Sequence, residues 1–147
     1  MLDLVLAVAH HLLIFALAGV LAAELVMLRP GLDADGVRRI AGIDIWYGLL
    51  AGLILAVGFS RAIFAAKGWD YYSHNLFFWG KLSAFAVIGI LSIWPTMGYL
   101  RWKRAGHAPD DRQIAGLRRY LWAQVLLFPL LLIFAAAMAR GYGELRF

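Results

Sequence analysis

The sequence predicts an all-α polytopic membrane protein, an antiparallel bundle of four transmembrane helices, and three observations carry that reading. Of 147 residues, 63% are hydrophobic and 16% are charged, and the mean hydropathy is +0.75. Soluble domains average about 45–50% apolar and about 25% charged residues. A core built by so short a chain has no room for that much apolar surface, so the excess belongs in lipid. The apolar residues also gather into four runs, each of roughly the 20 residues needed to cross a hydrocarbon layer. The alternating segments of about ten residues that build a β-barrel are missing.

The first run extends from Leu4 to Leu28 and stops at Arg29-Pro30-Gly31, a strong breaker. The second extends from Ile43 to Ala66 and ends at Lys67-Gly68. The third, Phe77 to Leu100, is closed by Arg101-Trp102-Lys103-Arg104, and the fourth, Tyr120 to Ala139, is followed by Arg140-Gly141-Tyr142-Gly143. The connections are short enough to hold neighbouring helices antiparallel within a single membrane domain, residues 1–147. The start, Met1-Leu2-Asp3-Leu4-Val5, has no basic n-region, and no small-residue cleavage site ends the run, so a retained helix is expected.

The formal net charge is +5 and the pI near 9.9. The cations lie in short loops between apolar runs, a pattern that sets topology and meets anionic lipid; nucleic acid is not an expected partner. Arg29, Arg38 and Arg39 sit in the first connection, and Arg101, Lys103, Arg104, Arg112, Arg118 and Arg119 in the third. The second connection holds only Lys67, and the tail only Arg140 and Arg146. The bias predicts cytoplasmic first and third loops and both termini outside, periplasmic in a bacterial inner membrane. With no cysteine, disulfides, thiolate metal sites and Cys catalysis are excluded. Glycine-rich phosphate loops, an HExxH motif and an arguable Ser/His/Asp order are also missing.

Ionisable residues inside a span are costly and mark function by default. With that topology, His10, His11, Arg61, Lys67, Asp70, Tyr71, Tyr72, His74 and Lys81 fall in the outer half, and Glu24, Asp44, Tyr99 and Gln124 in the inner half. At 100° per residue, His10 and Glu24 share a line on the first helix with Leu17 and Leu21. His11 points 100° away, in line with Ala18 and Ala22. Tyr47 and Arg61 share a face of the second helix; Lys81, Ser92, Pro95 and Tyr99 form a stripe on the third, and Tyr120, Gln124 and Met138 line up on the fourth. Each polar edge is expected to face the bundle interior. Gly48 and Gly52 form a small-xxx-small pair suited to close helix approach, within the chain or in a homodimer. The tryptophans and tyrosines near span ends read as an interfacial belt.

The outer cluster suggests a metal or haem site, because imidazole is a common ligand and bundle interiors house haem iron. His10, His11 and His74 are the candidate metal ligands. Arg61, Lys67 and Lys81 are placed to pair with propionates, and Tyr47 joins the cofactor set through its shared face with Arg61. Two adjacent histidines diverge by 100°, so only one of His10 and His11 can face a given iron. Glu24 and Asp44, near Arg29, Arg38 and Arg39, are expected to form a structural ion-pair network at the inner face.

The stretches Ala9-His10-His11-Leu12-Leu13, Ala23-Glu24-Leu25-Val26, Asp44 with Trp46-Tyr47-Gly48-Leu49, His74-Asn75 with Phe77-Phe78-Trp79-Gly80-Lys81-Leu82, and Ser92-Ile93-Trp94-Pro95-Thr96 resemble a family of bacterial four-helix membrane proteins, domain of unknown function 2214. That family is distantly similar to HemJ-type protoporphyrinogen oxidases and to CopD-like copper proteins of the inner membrane. The HemJ resemblance implies a haem-binding four-helix core, with a histidine early in the first helix, here His10 or His11, and a Lys-Leu pair opening the third, here Lys81-Leu82. HemJ-type proteins carry a histidine two residues before that lysine, where this chain has Trp79. His74, seven residues before Lys81, shares its face only if the helix begins earlier than Phe77.

The leading expectation is a b-type haem protein near the outer face, redox-active if an enzyme at all, since the cluster offers no nucleophile. Copper or divalent-metal binding or transport in the CopD manner is the second reading; Met27 and Met97 lie toward the inner half, and no methionine-rich segment supports it. The third is a non-catalytic membrane partner, joining a homodimer or a redox protein through its small-residue faces.

Overall fold

The computed structural model describes residues 1–64 and 68–144. Its helices are α1 (Leu2–Met27), α2 (Ala34–Phe64), α3 (Gly68–Ser73), α4 (Leu76–Ala105) and α5 (Asp111–Ala139). The four long helices are each apolar and long enough to cross a membrane, and no strand occurs among the described residues. The protein is an all-α, four-span membrane bundle. Antiparallel succession puts Met1, α3 and the segment after α5 at one end, here the near end. The 28–33 and 106–110 connections lie at the far end.

The helices outrun the apolar spans, chiefly at the far end. Hydropathy marks where lipid stops, whereas helical hydrogen bonding continues until a cap ends it. α2 starts nine residues before Ile43 because Asp33 Oδ1 accepts the Gly36 N–H at 2.7 Å. α5 starts at Asp111 through a reciprocal capping box between Asp110 and Gln113. α4 runs on to Ala105 and stops at Gly106, which takes the left-handed conformation (φ 70°) and donates its N–H to Trp102 O.

α1 packs on α2 and α4 on α5; α2 against α4 joins the two hairpins, and among the pairs of long helices that lie side by side α1 and α5 meet over the smallest area. Each helix buries one stripe. On α1 it is His10, Ile14, Leu17, Leu21 and Glu24, spaced by threes and fours. The opposite faces stay apolar, with Leu12, Phe15, Val26, Leu53 and Leu126 all more than half exposed, as a lipid-facing surface requires. His11, Ala22, Gly48 and Gly52 lie on that outer surface, and nothing stands near where a Cβ would project from either glycine. The small-xxx-small pair therefore makes no close approach within the chain.

The near end is tied together by backbone bonds. After α5, Gly141 (φ 79°) ends the helix in a Schellman motif, with Gly141 N–H on Met138 O and Tyr142 N–H on Ala137 O. The chain then folds back so that Gly143 O accepts from Leu76 N–H at 2.9 Å and Tyr142 O from Asn75 Nδ2 at 3.1 Å. Asn75, fully buried, also caps α4 by accepting from Phe77 N–H. At the far end, Arg118 of α5 donates to Leu25 O at 2.8 Å and to Leu28 O, filling carbonyls that the end of α1 leaves open.

Candidate functional site

Two polar layers interrupt the apolar core, one toward each end. The near layer is centred on His10, which α1 turns inward one turn above Ile14 and leaves 5% exposed. Its Nε2 is hydrogen-bonded to Lys81 Nζ of α4 at 3.2 Å, and its Nδ1 is buried without a partner among the described residues. The space beside that ring is kept by Gly58 of α2, where a Cβ would lie 3.2 Å from Cε1 and 3.7 Å from Nδ1. Arg61, one turn beyond Gly58, reaches Asp3 near the start of α1, Nη2 to Oδ1 at 3.7 Å, and its Nε is buried without a partner. This layer carries more cations than anions, in a region where charge is costly.

Beside these groups is a cavity of about 380 Å³, within the range of small-molecule sites. His10, Arg61 and Lys81 line it, while Ile54, Phe85 and Leu131 give it apolar walls and Tyr71 and Tyr72 of α3 its near end. Tyr71 OH donates to Met138 O at 2.9 Å, so α3 is anchored across the bundle to α5. Phe15 of α1 and Leu132 of α5 also line it and are both more than half exposed. The cavity thus reaches the lipid-facing surface on α1 and α5.

The histidines separate. His11 turns its Nδ1 to Ala7 O at 2.6 Å and is exposed on α1, its ring edge-on to His10 with centroids 6.4 Å apart. His74 is bound to α3, with Nδ1 2.9 Å from Asp70 O and 3.4 Å from Asp70 Oδ1, and its side chain is 55% exposed. It lies before the Asn75 cap, so α4 does not extend back to carry it, and it does not line the cavity. The His10, His11, His74 set is therefore not assembled. Among the described residues no three metal-ligating side chains converge. Lys67 and Arg146 lie outside the described residues.

The far layer is acidic and closely packed. Glu24, Asp44, Tyr47, Tyr99 and Gln124 are all buried, Tyr99 and Gln124 completely. Tyr47 OH donates to Gln124 Oε1 at 2.8 Å, Thr96 Oγ1 to Asp44 Oδ1 at 2.9 Å, and Gln124 Nε2 to Tyr120 O at 3.3 Å. Tyr99 OH points at Glu24 Oε2 from 3.5 Å, and Glu24 Oε1 has no partner. Two expectations are corrected here. Tyr47 belongs to this layer and not to the cavity; fourteen residues separate it from Arg61, about 21 Å of helix, so a shared face does not mean a shared depth. The ion-pair network of Glu24 and Asp44 with Arg29, Arg38 and Arg39 does not form. The arginines stay exposed, Arg38 pairing with Asp35, because a buried carboxylate reaches neutral hydroxyl donors at its own depth more readily than guanidinium groups in water.

The sequence profile of a family described as predicted membrane protein, DUF2214, matches residues 2–143, nearly the whole chain. The chain belongs to the DUF2214 family. No curated protein and no solved structure matches it, and the expected likeness to HemJ-type and CopD-like proteins is not shown.

In this DUF2214 chain several residues do more than their sequence context indicates. Gly58 is separated from Arg61 by one turn and passes for a packing residue. Thr96, after Pro95, gives Asp44 its donor, and Asn75 ties the tail to α4. Asp3 pairs with Arg61, and an acid at the start of a span opposite an arginine near the end of its antiparallel neighbour is a legible pair.

Proposed function

We propose that this chain is a membrane-embedded cofactor-binding protein that takes an amphipathic, acid-bearing ligand, b-type haem, in the near-end cavity. The observation that carries it is His10, a buried imidazole at the wall of an apolar cavity, with one nitrogen held by Lys81 and the other without a partner. The Lys81 ammonium can only donate, so Nε2 carries the ring's lone pair; haem iron would take the place of Lys81 at Nε2 and free the ammonium for a propionate. Gly58 leaves the space that a Cβ would fill. Arg61 and Lys81 offer cations for propionates at the same depth. A cavity that reaches the lipid-facing surface suits a ligand arriving from the bilayer.

Haem bound there would supply electron transfer, and a redox role follows from it. The chain's residues supply the ring nitrogen, neutralise the acid groups and exclude water. His74 stands apart from the cavity, and His11, which also lines it, is exposed with its Nδ1 held by Ala7 O, so His10 is the histidine ligand in this proposal. Copper or another divalent ion is less favoured, because such ions need converging ligands that the three histidines do not form. We place the near end outside the membrane, on the Lys/Arg bias of the far-end loops.

The test is an optical titration of the detergent-purified protein with hemin. A saturable Soret shift in the wild type that disappears in His10→Ala is expected. A wild type that neither carries haem from haem-replete cells nor takes up hemin contradicts the proposal.

A further inference from the structure

A second cavity lies at the far end, on the groove between α4 and α5. It measures about 340 Å³ and is lined by Arg101, Trp102, Gln113, Leu117, Arg119 and Tyr120. Both guanidinium groups are exposed, and neither forms an ion pair or hydrogen bond among the described residues. Trp102 is 3% exposed, and its indole Nε1 is buried with no hydrogen-bond partner. Buried indole N–H groups ordinarily find an acceptor. The groove therefore combines two unpaired cations with one unpaired neutral donor and holds no acid.

Its position relates it to the bilayer. Arg101 closes an outward stripe of α4 made of Ile90, Trp94 and Met97, spaced by fours and threes and each close to half exposed or more. Arg119 opens the matching stripe of α5, Trp122, Leu126 and Ile133, of similar exposure. At the edge of the cavity, Trp94 stacks on the lining residue Tyr120 with rings 5.1 Å apart and 2° from parallel, and both residue types are enriched at a membrane interface. Two apolar tracks thus run along the lipid-facing surface and end together at a cationic groove.

We propose that this groove is a binding site for the headgroup phosphate of an anionic phospholipid, its acyl chains lying along the two stripes. Arg101 and Arg119 supply the charge, and Trp102 supplies a neutral donor that separates the site from a diffuse basic surface. Basic grooves between transmembrane helices recognise anionic headgroups in this way.

Native mass spectrometry of the full chain, in a neutral detergent doped with equal phosphatidylglycerol and phosphatidylcholine of the same acyl chains, tests it. Wild type retains phosphatidylglycerol in preference by roughly tenfold, and Arg101→Gln/Arg119→Gln brings the ratio to about one. Trp102→Phe, which keeps the ring and removes the donor, reduces retention about fivefold. Circular dichroism shows whether each variant keeps its helices. Should Trp102→Phe not fold, the arginine pair, being exposed, carries the test. Equal retention of the two lipids, selectivity that survives the double arginine variant, or a folded Trp102→Phe with unchanged retention overturns the site. Inorganic phosphate at millimolar concentration leaves retention unchanged; displacement of the lipid by phosphate alone overturns the lipid as occupant.

Discussion

The near and far layers both bury ionisable side chains in the membrane part of one bundle, yet they do so in opposite ways. The far layer gives each of its two acids a hydroxyl donor, leaves only Glu24 Oε1 without a partner, and buries Tyr99 and Gln124 completely. The near layer leaves a nitrogen of His10 and the Nε of Arg61 without partners, and it surrounds a cavity. A polar group buried without a partner costs about 1–3 kcal/mol, so a layer that keeps two of them beside open space is built to meet something else. The contrast separates a layer that fixes how the helices pack from one that receives a ligand.

Substitutions break this comparison in order of effect. His10→Ala abolishes hemin uptake, since His11, the other histidine on the cavity, is exposed and hydrogen-bonded to its own helix; optical titration checks this, and a retained Soret shift rejects His10 as the ligand. Lys81→Met leaves the imidazole but removes the cation offered to a propionate, and weakens uptake roughly 10–100-fold, the cost of one charge-assisted hydrogen bond. Gln124→Leu acts on the other layer. It strands the Tyr47 hydroxyl and destabilises the fold by about 1–3 kcal/mol without changing hemin affinity, as thermal unfolding and titration together show. Glu24→Gln changes stability by no more than about 1 kcal/mol, because Glu24 has no cation partner to lose among the described residues. His74→Ala changes neither property, being exposed and held locally by Asp70.

Most of the fold was legible in the sequence, because hydrophobicity alone specifies where a helix meets lipid. The α1 stripe of His10, Leu17, Leu21 and Glu24 followed from angles, as did the inward positions of Lys81, Pro95, Tyr99 and Gln124. Depth was harder to read than direction. Tyr47 and Arg61 share a face but sit in different layers, and a helical wheel discards the axial coordinate that divides them. His74 was misplaced because the start of α4 is set by Asn75 and its bonds to residues 142 and 143, a contact almost seventy residues away in sequence. The arginine network failed for a related reason. Proximity in sequence to Glu24 and Asp44 says nothing about whether a guanidinium group will leave water, and the structure supplies Thr96 and Tyr99 in their place.

The most direct test sets one residue of each layer side by side in a hemin titration, His10→Ala for the near layer and Tyr47→Phe for the far layer. Both variants lose a single hydrogen-bonding group from the buried interior. The expected result is a lost Soret shift in His10→Ala and an unchanged one in Tyr47→Phe. Loss in both variants, or in neither, would contradict the division of the bundle into a ligand layer and a packing layer.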